Sequence, residues 1–423
     1  MNIGIIGGGA SGMMAAITAA RRGHKVTIIE HNARVGKKIL STGNGRCNYT
    51  NVDMSLKHFH GGDKAFIDSV LRTFDQKKTV EFFNELGVFP KEKNGCIYPY
   101  SEQASAVLDC LRNEIIKLEI DVYTECHPEK ITTTNDIEAY KYIKSSKGKY
   151  TEFSYPEVFR VDTNKGIFYF DKIIIACGSK ANEKTGSDGS GYSIAKSLNH
   201  NIKKPLPALC ALRCEEGFFK SIAGIRCSGT VKLLIDGEIK KEDTGEIQLT
   251  DYGISGIPVF QVSYLAARAI NKGKSVNAII DFMPDIDTID ELYDLITERI
   301  RNNPGKCMDE LLVGLFHKNL CMLFNKISDI SGKISCGEVK GNEINKLCKV
   351  IKNFKVKVVT TNSYDNAQVC SGGVRCDELK NTLESKIVKN LYFAGEIIDV
   401  NGDCGGYNLQ FAWSSGYVAG CLK

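Results

Sequence analysis

The sequence predicts an α/β fold built on a discontinuous Rossmann-like nucleotide-binding domain, with a β-rich lobe and a helical lobe inserted into it. Three observations support this class: a glycine-rich turn between a strand and a helix near the start, a second glycine-rich loop before a helix near Asn408, and a long mixed region between them. Two sites rich in backbone groups, so far apart in the chain, indicate a long ligand with a phosphate end and a ring end.

The first glycine-rich turn reads Gly7-Gly-Gly-Ala-Ser-Gly12. It follows residues 2–6, an apolar run suited to a buried parallel strand, and precedes residues of helical composition. Its three motif glycines permit, in order, the tight turn, the approach of backbone to a pyrophosphate, and close packing of helix on strand. The N–H groups and dipole at the helix start favour a phosphate. The residues predicted to bind it are Gly7, Gly9, Ala10, Ser11 and Gly12.

An acidic residue ends the second predicted strand. Residues 25–30 are strand-like and finish at Glu30, 18 residues after Gly12. This is the distance at which a dinucleotide-binding unit places the carboxylate that accepts hydrogen bonds from the adenosine ribose. The charge of Glu30 would also disfavour a ribose 2′-phosphate.

Two further segments favour a flavin over a nicotinamide, and FAD has the predicted shape. Residues 171–179 form a strand running into a glycine turn, and residues 391–396 form another that ends in Gly-Glu. A helix starting near Asn408 would aim N–H groups at the flavin N1/C2 carbonyl, where negative charge accumulates on reduction. Each segment alone is also common as an ordinary strand with a glycine exit. The predicted FAD contacts here are Ala176, Gly178, Gly395, Glu396, Asp399, Gly405, Gly406, Tyr407, Asn408 and Leu409.

On these motifs the chain resembles the HI0933-like (YhiN/BaiN-type) FAD-dependent oxidoreductases. The resemblance spans nearly the whole chain and rests on residues 7–12, 36–48, 98–101, 185–192, 249–256, 382–386 and 405–416. It implies FAD bound in a discontinuous domain with an inserted region on the substrate side. It also places the loop 36–48 beside FAD, and so adds the candidates Lys37, Lys38, Gly43, Gly45, Arg46, Cys47 and Asn48.

The resemblance implies the function as well. Members of the family are labelled amine oxidases or reductases of carbon–carbon double bonds in steroid-like acids. The chain is therefore expected to transfer hydride between flavin N5 and a small or medium organic substrate, such as an activated C=C in a steroid-like acid, in an NAD(P)H-linked reaction. The alternatives are an amine oxidase of the aminoacetone-oxidase type using O₂, an RNA-modifying flavoprotein, and a non-catalytic flavin sensor.

A dedicated nicotinamide domain is not expected. The glycine–hydroxyl loop 185–191 lacks a strand with a following acid, so it is interpreted as a turn that covers the flavin or joins the domains. NADH or NADPH would then bind transiently in the cleft.

Catalytic candidates are few. Tyr252 is proposed as a proton donor from the insert, with a core tyrosine equally supported, and Arg46 as a group that steadies pyrophosphate or a substrate anion. His58 and His60 have no evident partners in the sequence. A redox pair of Cys47 with Cys404 is considered, but a packing role for Cys47 is favoured.

Composition indicates a globular enzyme without nucleic-acid or membrane partners. The net charge is +5 and no run of five or six cations occurs, which argues against nucleic acid. No apolar run approaches the roughly 18 residues of a spanning helix. Met1 leads straight into the first strand, and 16 cysteines lack a secretion signal and any Cys-x-x-Cys motif, so a cytoplasmic protein without a metal site is expected. The oligomeric state is left open.

The predicted domains follow from the motifs. Residues 1–190 and 356–423 are assigned to FAD binding and 191–355 to the insert, β-rich at about 191–260 and 330–355 and helical at about 261–329. Within the first domain, residues 64–86 are expected to be helical and residues 121–170 to form an antiparallel meander. Asp236-Gly237 is expected to form a hairpin turn.

Overall fold

The computed structural model describes residues 1–134 and 158–422. The chain forms two compact units: Met1–Pro205 with Val369–Lys423, and Leu206–Gln368. The sequence predicts the same order of parts, with boundaries at 190/191 and 355/356.

The elements of the described residues are numbered in chain order. The strands are β1 (Asn2–Ile6), β2 (Lys25–Ile29), β3 (Thr50–Asn51), β4 (Phe59–Gly61), β5 (Pro90–Lys93), β6 (Cys96–Pro99), β7 (Asp121–Tyr123), β8 (Pro128–Thr134), β9 (Val158–Thr163), β10 (Gly166–Phe170), β11 (Lys172–Ile175), β12 (Ile202–Ala208), β13 (Leu212–Cys214), β14 (Arg226–Ile235), β15 (Glu238–Thr250), β16 (Gly253–Gly256), β17 (Val276–Asp281), β18 (Phe354–Thr361), β19 (Val369–Val374), β20 (Leu391–Phe393) and β21 (Val400–Gly402). The helices are α1 (Ala10–Arg21), α2 (Lys64–Thr73), α3 (Gln76–Glu85), α4 (Ala104–Lys117), α5 (Ser190–Ser197), α6 (Ile257–Asn271), α7 (Ile289–Asn302), α8 (Met308–Leu311), α9 (Lys318–Ile327), α10 (Gly341–Lys352) and α11 (Tyr407–Gly420).

A five-stranded parallel sheet forms the centre of the first unit, in the order β20-β11-β1-β2-β7. Its inner strands are almost wholly apolar and buried, as expected for a parallel sheet covered on both faces. Ile6 pairs with Ile29 and Ile175, and Ile175 pairs with Phe393. The carboxyl ends of four strands therefore lie in one row, the edge at which open α/β sheets bind ligands.

Strand β7 corrects one expectation. It pairs with β2 in parallel at the sheet edge, and only β8, β9 and β10 form the antiparallel meander. The side chains of β7 are exposed, so its pattern does not distinguish a parallel edge strand from a surface hairpin strand.

The predicted helical stretch 64–86 is divided into two helices. Helix α2 ends at Thr73, and the carboxylate of Asp75 accepts a hydrogen bond from Lys78 N–H (2.9 Å) at the start of α3. Because Asp is a strong helix N-cap, it begins a new helix there and does not continue the first.

The second unit is built on a closed antiparallel barrel with the strand order β13-β16-β15-β14-β17-β18. The predicted hairpin joins β14 to β15: Asp236 and Gly237 have φ of 51° and 87°, as a two-residue type I′ turn requires. Helix α6 follows β16 and buries one face, including Val259 and Val262.

Helices α7 to α10 lie between β17 and β18 in the chain. The expectation of β structure at about 330–355 is wrong for residues 341–352, which form α10. Its apolar residues Ile344, Leu347, Cys348 and Ile351 follow helical spacing and are buried. Across the described chain, none of the helices combines the length and apolar character that crossing a membrane requires.

Candidate functional site

The turn after β1 is shaped by its glycines. Gly7 has φ of 102°, and a Cβ there would lie 2.6 Å from the carbonyl oxygen of Ala176. A Cβ at Gly12 would lie 1.9 Å from the oxygen of Gly7, so the helix approaches the strand as closely as predicted. Gly9 differs, because a Cβ there would meet no described atom within 4 Å. The backbone at Gly9 therefore faces open space.

Helix α1 presents free donors beside that space. Its first helical hydrogen bond is donated by Met13 N–H to Gly9 O (2.9 Å). The N–H groups of Ala10, Ser11 and Gly12 consequently have no partner within the helix. Together with the helix dipole they form an arrangement that binds phosphate.

Glu30 lies at the end of β2 and is buried. Its carboxylate accepts hydrogen bonds from Gly8 N–H (2.7 Å) and from the backbone and side chain of Asn32 (2.8 and 2.7 Å). Glu30 thus connects the first glycine turn to the loop after β2. Because each carboxylate oxygen has two lone pairs, these bonds leave capacity for a ribose hydroxyl.

The end of β20 lies directly beside the start of α1. A Cβ at Gly395, where φ is 79°, would lie 2.2 Å from Ser11 Oγ, and Ser11 Oγ donates to Ala394 O (3.3 Å). Glu396 follows, and its Oε2 accepts from Lys38 Nζ (2.8 Å). Its buried Oε1 has no hydrogen-bond partner among the described residues.

The loop 36–48 contains a helical segment, Lys37–Gly45, that ends in left-handed residues. Gly43, Asn44 and Gly45 have φ of 55°, 53° and 82°, and Cys47 has φ of 57°. Beyond them, Asn48 contacts the second glycine loop. With its amide oriented to satisfy both ends, it donates to Thr50 O (2.8 Å) and accepts from Gly406 N–H (3.2 Å).

The second glycine loop leads into α11. Gly405 and Gly406 have φ of 132° and 93°, and the first helical bond is donated by Gln410 N–H to Gly406 O (2.9 Å). Three N–H groups of the first helical turn therefore have no partner within the helix. They belong to Tyr407, Asn408 and Leu409. The side chain of Asn408 holds the loop shape through Gly402, accepting from its N–H (2.7 Å) and donating to its oxygen (2.9 Å).

The segment after β11 lies beside the loop 185–191. Gly178 has φ of 74°, and a Cβ there would lie 3.1 Å from Ser187 Oγ. A Cβ at Gly186 would lie 2.2 Å from Asn32 Nδ2, in the loop after β2. The loop 185–191 therefore contacts the segments that follow β2 and β11.

Other predicted residues make contacts outside this arrangement. Lys37 is exposed, and Arg46 is largely exposed with its guanidinium 3.8 Å from the Glu102 carboxylate. Asp399 is buried and forms an ion pair with Lys203 (2.9 Å). Tyr252 lies in the second unit, where its hydroxyl accepts from Asn362 Nδ2 (3.0 Å).

Cys47 has the properties of a packing residue. It is fully buried, and burial raises the pKa of its thiol to about 12. A redox-active cysteine needs an accessible thiolate, and burial disfavours that form. Cys47 and Cys404 are both free thiols in the structure.

Sequence reasoning missed a histidine–carboxylate cluster next to the second glycine loop. The carboxylate of Asp403 is hydrogen-bonded to two imidazole rings. Its Oδ2 lies 3.1 Å from His58 Nδ1, and its Oδ1 lies 2.7 Å from His60 Nε2. The other ring nitrogen of His58 lies 3.1 Å from Asp53 Oδ2, and the His58 ring stacks on Tyr407 at 4.3 Å. The expectation that these histidines lack partners is wrong. Their shared partner, Asp403, lies about 345 positions away in the chain, and no local pattern in the sequence reveals it.

These features of the first unit fit a bound FAD. The open space at Gly9 lies beside three N–H groups that have no partner within the helix. The buried Oε1 of Glu396 has no partner among the described residues and can accept a hydrogen bond from a hydroxyl group. A second set of N–H groups at the start of α11 suits the electron-rich end of a flavin. In the part of the chain that the structure describes, no group of three or more His, Cys, Asp or Glu is placed to hold a metal ion.

The chain is similar to known proteins over nearly its whole length. The chain is 41% identical over 421 residues to the 3-dehydro-bile acid delta(4,6)-reductase of Clostridium scindens, covering 99% of this chain and 98% of that protein. It is 26% identical over 418 residues to the ribosomal RNA dihydrouridine synthase of Escherichia coli, covering 98% and 96%. Among solved structures it matches the 3-ketosteroid delta1-dehydrogenase of Sterolibacterium denitrificans with a TM-score of 0.49 and 11% identity, covering 99% and 98%.

The match to a family is continuous. The model of the HI0933-like protein Rossmann domain matches residues 1–422. This extent agrees with a nucleotide-binding domain assembled from both ends of the chain around an insert. The chain belongs to the HI0933-like family and is an FAD-dependent oxidoreductase.

Proposed function

We propose that the protein is a reductase of a carbon–carbon double bond conjugated to a carbonyl group in a steroid-like acid. The observation that carries this proposal is the 41% identity to a bile-acid reductase over 99% of the chain. An identity of this level along both complete units supports a shared reaction as well as a shared fold.

The proposed FAD contacts follow from the geometry of the first unit. The N–H groups of Ala10, Ser11 and Gly12 bind the pyrophosphate, and Glu30 accepts from the adenosine ribose. Glu396 accepts from a ribityl hydroxyl through its unpaired Oε1. When bound, FAD supplies hydride transfer through its N5 atom.

The start of α11 contributes to this reaction by electrostatics. The N–H groups of Tyr407, Asn408 and Leu409 would hold the pyrimidine end of the flavin and would stabilise the negative charge that develops there. The left-handed Gly405 and Gly406 shape this loop, since other residues adopt such angles only with strain. Their role is to position donors before the reaction begins.

The experiment uses the purified holoenzyme without oxygen. The flavin is reduced with dithionite, and a bile acid with a 3-oxo-4-ene system is added while the visible spectrum is recorded. We expect the oxidised flavin spectrum to return with one equivalent of saturated product. The matched acid without the ring double bond is the control and should leave the flavin reduced.

A separate addition identifies the electron donor. We expect NADH or NADPH to replace dithionite, without a second nucleotide domain. If instead the enone leaves reduced flavin unchanged, and simple amines reduce the flavin with hydrogen peroxide formed in air, the proposal is wrong and the amine-oxidase alternative is correct.

A second candidate is favoured by one observation, the 25–26% identity over 98% of the chain to two ribosomal RNA dihydrouridine synthases. Dihydrouridine formation also reduces a double bond conjugated to a carbonyl, in the uracil ring, so both candidates use the same flavin chemistry. We expect the reduced holoenzyme to form no dihydrouridine in deproteinised ribosomal RNA. Dihydrouridine detected by mass spectrometry, with no reaction of the bile acid, would favour this candidate.

A further inference from the structure

An unpaired amide lies between the two segments proposed to hold the flavin. Asn401 is 1% exposed, and neither Oδ1 nor Nδ2 has a hydrogen-bond partner among the described residues. It belongs to β21, which connects Glu396 to the loop of Gly405 and Gly406. A buried side chain that leaves both a donor and an acceptor unpaired costs free energy, so a ligand that pairs with it gains affinity.

The register of the adjacent strands places a histidine beside this amide. Strands β4 and β21 are antiparallel, with His60 directly opposite Asn401. Directly opposed residues carry their side chains on the same face of a ribbon, with Cβ atoms about 4.5–5.5 Å apart. The two side chains therefore lie on the same face of this ribbon.

The histidine of this pair is oriented by its neighbours. Asp403 lies two residues after Asn401, on the same face, and its Oδ1 is 2.7 Å from His60 Nε2. Asp403 N–H donates to His58 O (2.9 Å), which extends the pairing of the two strands by one position. Asp403 thus holds the His60 ring on the face of the ribbon that carries Asn401.

We propose that the amide of Asn401, on the polar face that it shares with His60 and Asp403, binds a carbonyl oxygen that gains negative charge during the reaction. This inference rests on the proposed function, because reducing a conjugated double bond pushes an electron pair onto the carbonyl oxygen of the substrate. The amide N–H of Asn401 supplies a donor of the kind that such an oxygen requires. The flavin C2 carbonyl has the same chemistry and is the second source.

The test compares two variants of Asn401 in the holoenzyme. Asn401→Leu removes the polar atoms, and Asn401→Asp keeps the size but cannot donate while ionised. If the ligand is the substrate carbonyl, we expect kcat/KM for the 3-oxo-4-ene acid to fall by roughly 10²-fold in both. Binding of the matched 3-deoxy acid, FAD affinity and the flavin spectrum should stay unchanged.

If the ligand is the flavin carbonyl, a different result is expected. FAD affinity falls and the flavin reduction potential becomes more negative in both variants, while the two acids are affected equally. Should the wild-type enzyme bind no enone, the proposed function fails, and these flavin measurements alone decide the role of Asn401.

Asn408→Leu is the matched control, since Asn408 is hydrogen-bonded to Gly402 and shapes the loop. It should weaken FAD and both acids together. If Leu does not fold at position 401, the Asp variant gives the result. Both sources are excluded if the Asn401 variants match the wild-type enzyme, or if they weaken the 3-oxo and 3-deoxy acids equally with an unaltered flavin.

Discussion

Single glycines of the first turn have different physical roles. Gly12 is glycine because the backbone of Gly7 occupies the position of its Cβ, 1.9 Å away. Gly9 has an extended conformation, with φ of −76°, and open space around it. Packing within the protein explains why residue 12 is glycine. The bound FAD proposed above would explain why residue 9 is glycine.

This difference predicts different effects of alanine at the two positions. We expect Gly9→Ala to leave the thermal stability of the flavin-free protein within about 0.5 kcal/mol of wild type, because the new methyl group contacts nothing in the protein. Its FAD affinity should fall at least tenfold, since the methyl group displaces the pyrophosphate. Gly12→Ala should lower both quantities. Fluorescence titration with FAD and thermal unfolding measure them, and equal FAD affinity of Gly9→Ala and wild type would contradict the assigned site.

Cys47 predicts a pH dependence of stability. The pKa of its thiol rises to about 12 in the folded protein, from an ordinary value of 9.0. The unfolded chain therefore loses this proton first, and the stabilisation present below about pH 9 is lost progressively as pH rises toward 12. Over this window one such thiol contributes a slope of about −1.4 kcal/mol per pH unit.

We expect Cys47→Ser to reduce the measured slope by this amount in urea unfolding between about pH 9 and 10.5. The hydroxyl does not ionise there, so the contribution of residue 47 disappears. The variant should also retain flavin turnover, because a packing residue carries no electrons. An unchanged slope would show that the thiol ionises alike in both states, and lost turnover would support the redox role.

At the scale of elements, α1 and α11 pack with unusually close backbones. A Cβ at Gly416 would lie 2.4 Å from Ser11 O, and one at Gly420 would lie 2.6 Å from Ala15 O. Helix α11 is buried around most of its circumference. The starts of these two helices carry both sets of N–H groups assigned to FAD, so their packing fixes the spacing between the sets.

We expect Gly416→Ala to destabilise the protein by about 1–3 kcal/mol through overpacking. FAD affinity should fall as well, because the α11 start moves relative to the α1 start. Gly305→Ala is the control: a Cβ there meets nothing within 4 Å, so little change is expected. Unfolding midpoints with FAD titration measure both effects, and wild-type FAD affinity in a destabilised Gly416→Ala would separate packing from binding.

At the scale of the whole molecule, each unit has its own hydrophobic core. In the second unit, Phe354 is buried and its ring lies 5.4 Å from Phe282 and 5.9 Å from Phe324. The first unit buries separate residues around its parallel sheet. A core mutation should therefore act on one unit more than on the other.

Phe354→Ala is predicted to cost about 3–5 kcal/mol in the second unit. Calorimetry of the holoenzyme should show a lowered transition for this unit, while flavin release, followed by fluorescence, keeps its wild-type midpoint. Phe83→Ala, in the first core, is the reciprocal control. Coincident shifts of both signals in both variants would show that the two units unfold as one.

The sequence predicts the glycine turns, strand ends and helix starts of the candidate site well because local patterns encode them. Gly7 to Gly12, Glu30 and the loop at Gly405 are specified by backbone angles and spacing within short segments. The antiparallel hairpin at Asp236 is specified in the same way. Residues such as Arg46 and Lys37 rest on resemblance alone and stay predictions.

What the sequence does not predict depends on contacts between distant segments. The pairing of β7 with β2 depends on a partner nearly 100 residues away. The pairing of His60 with Asp403 and the register that sets it opposite Asn401 depend on a strand about 340 positions away. Helix α10 is predictable from the helical spacing of Ile344, Leu347 and Ile351, and the expectation of β structure there is wrong.

Because the first unit takes strands from both sides of the insert, the order of biosynthesis constrains its maturation. Strand β20 and the loop at Gly405 leave the ribosome only after the entire barrel has been made. Until then β11 has an unpaired edge, and the nascent chain lacks one of the two glycine-rich segments proposed to bind FAD. We therefore expect flavin to bind only after these segments have been synthesised, and a chain truncated before residue 391 to be purified without flavin.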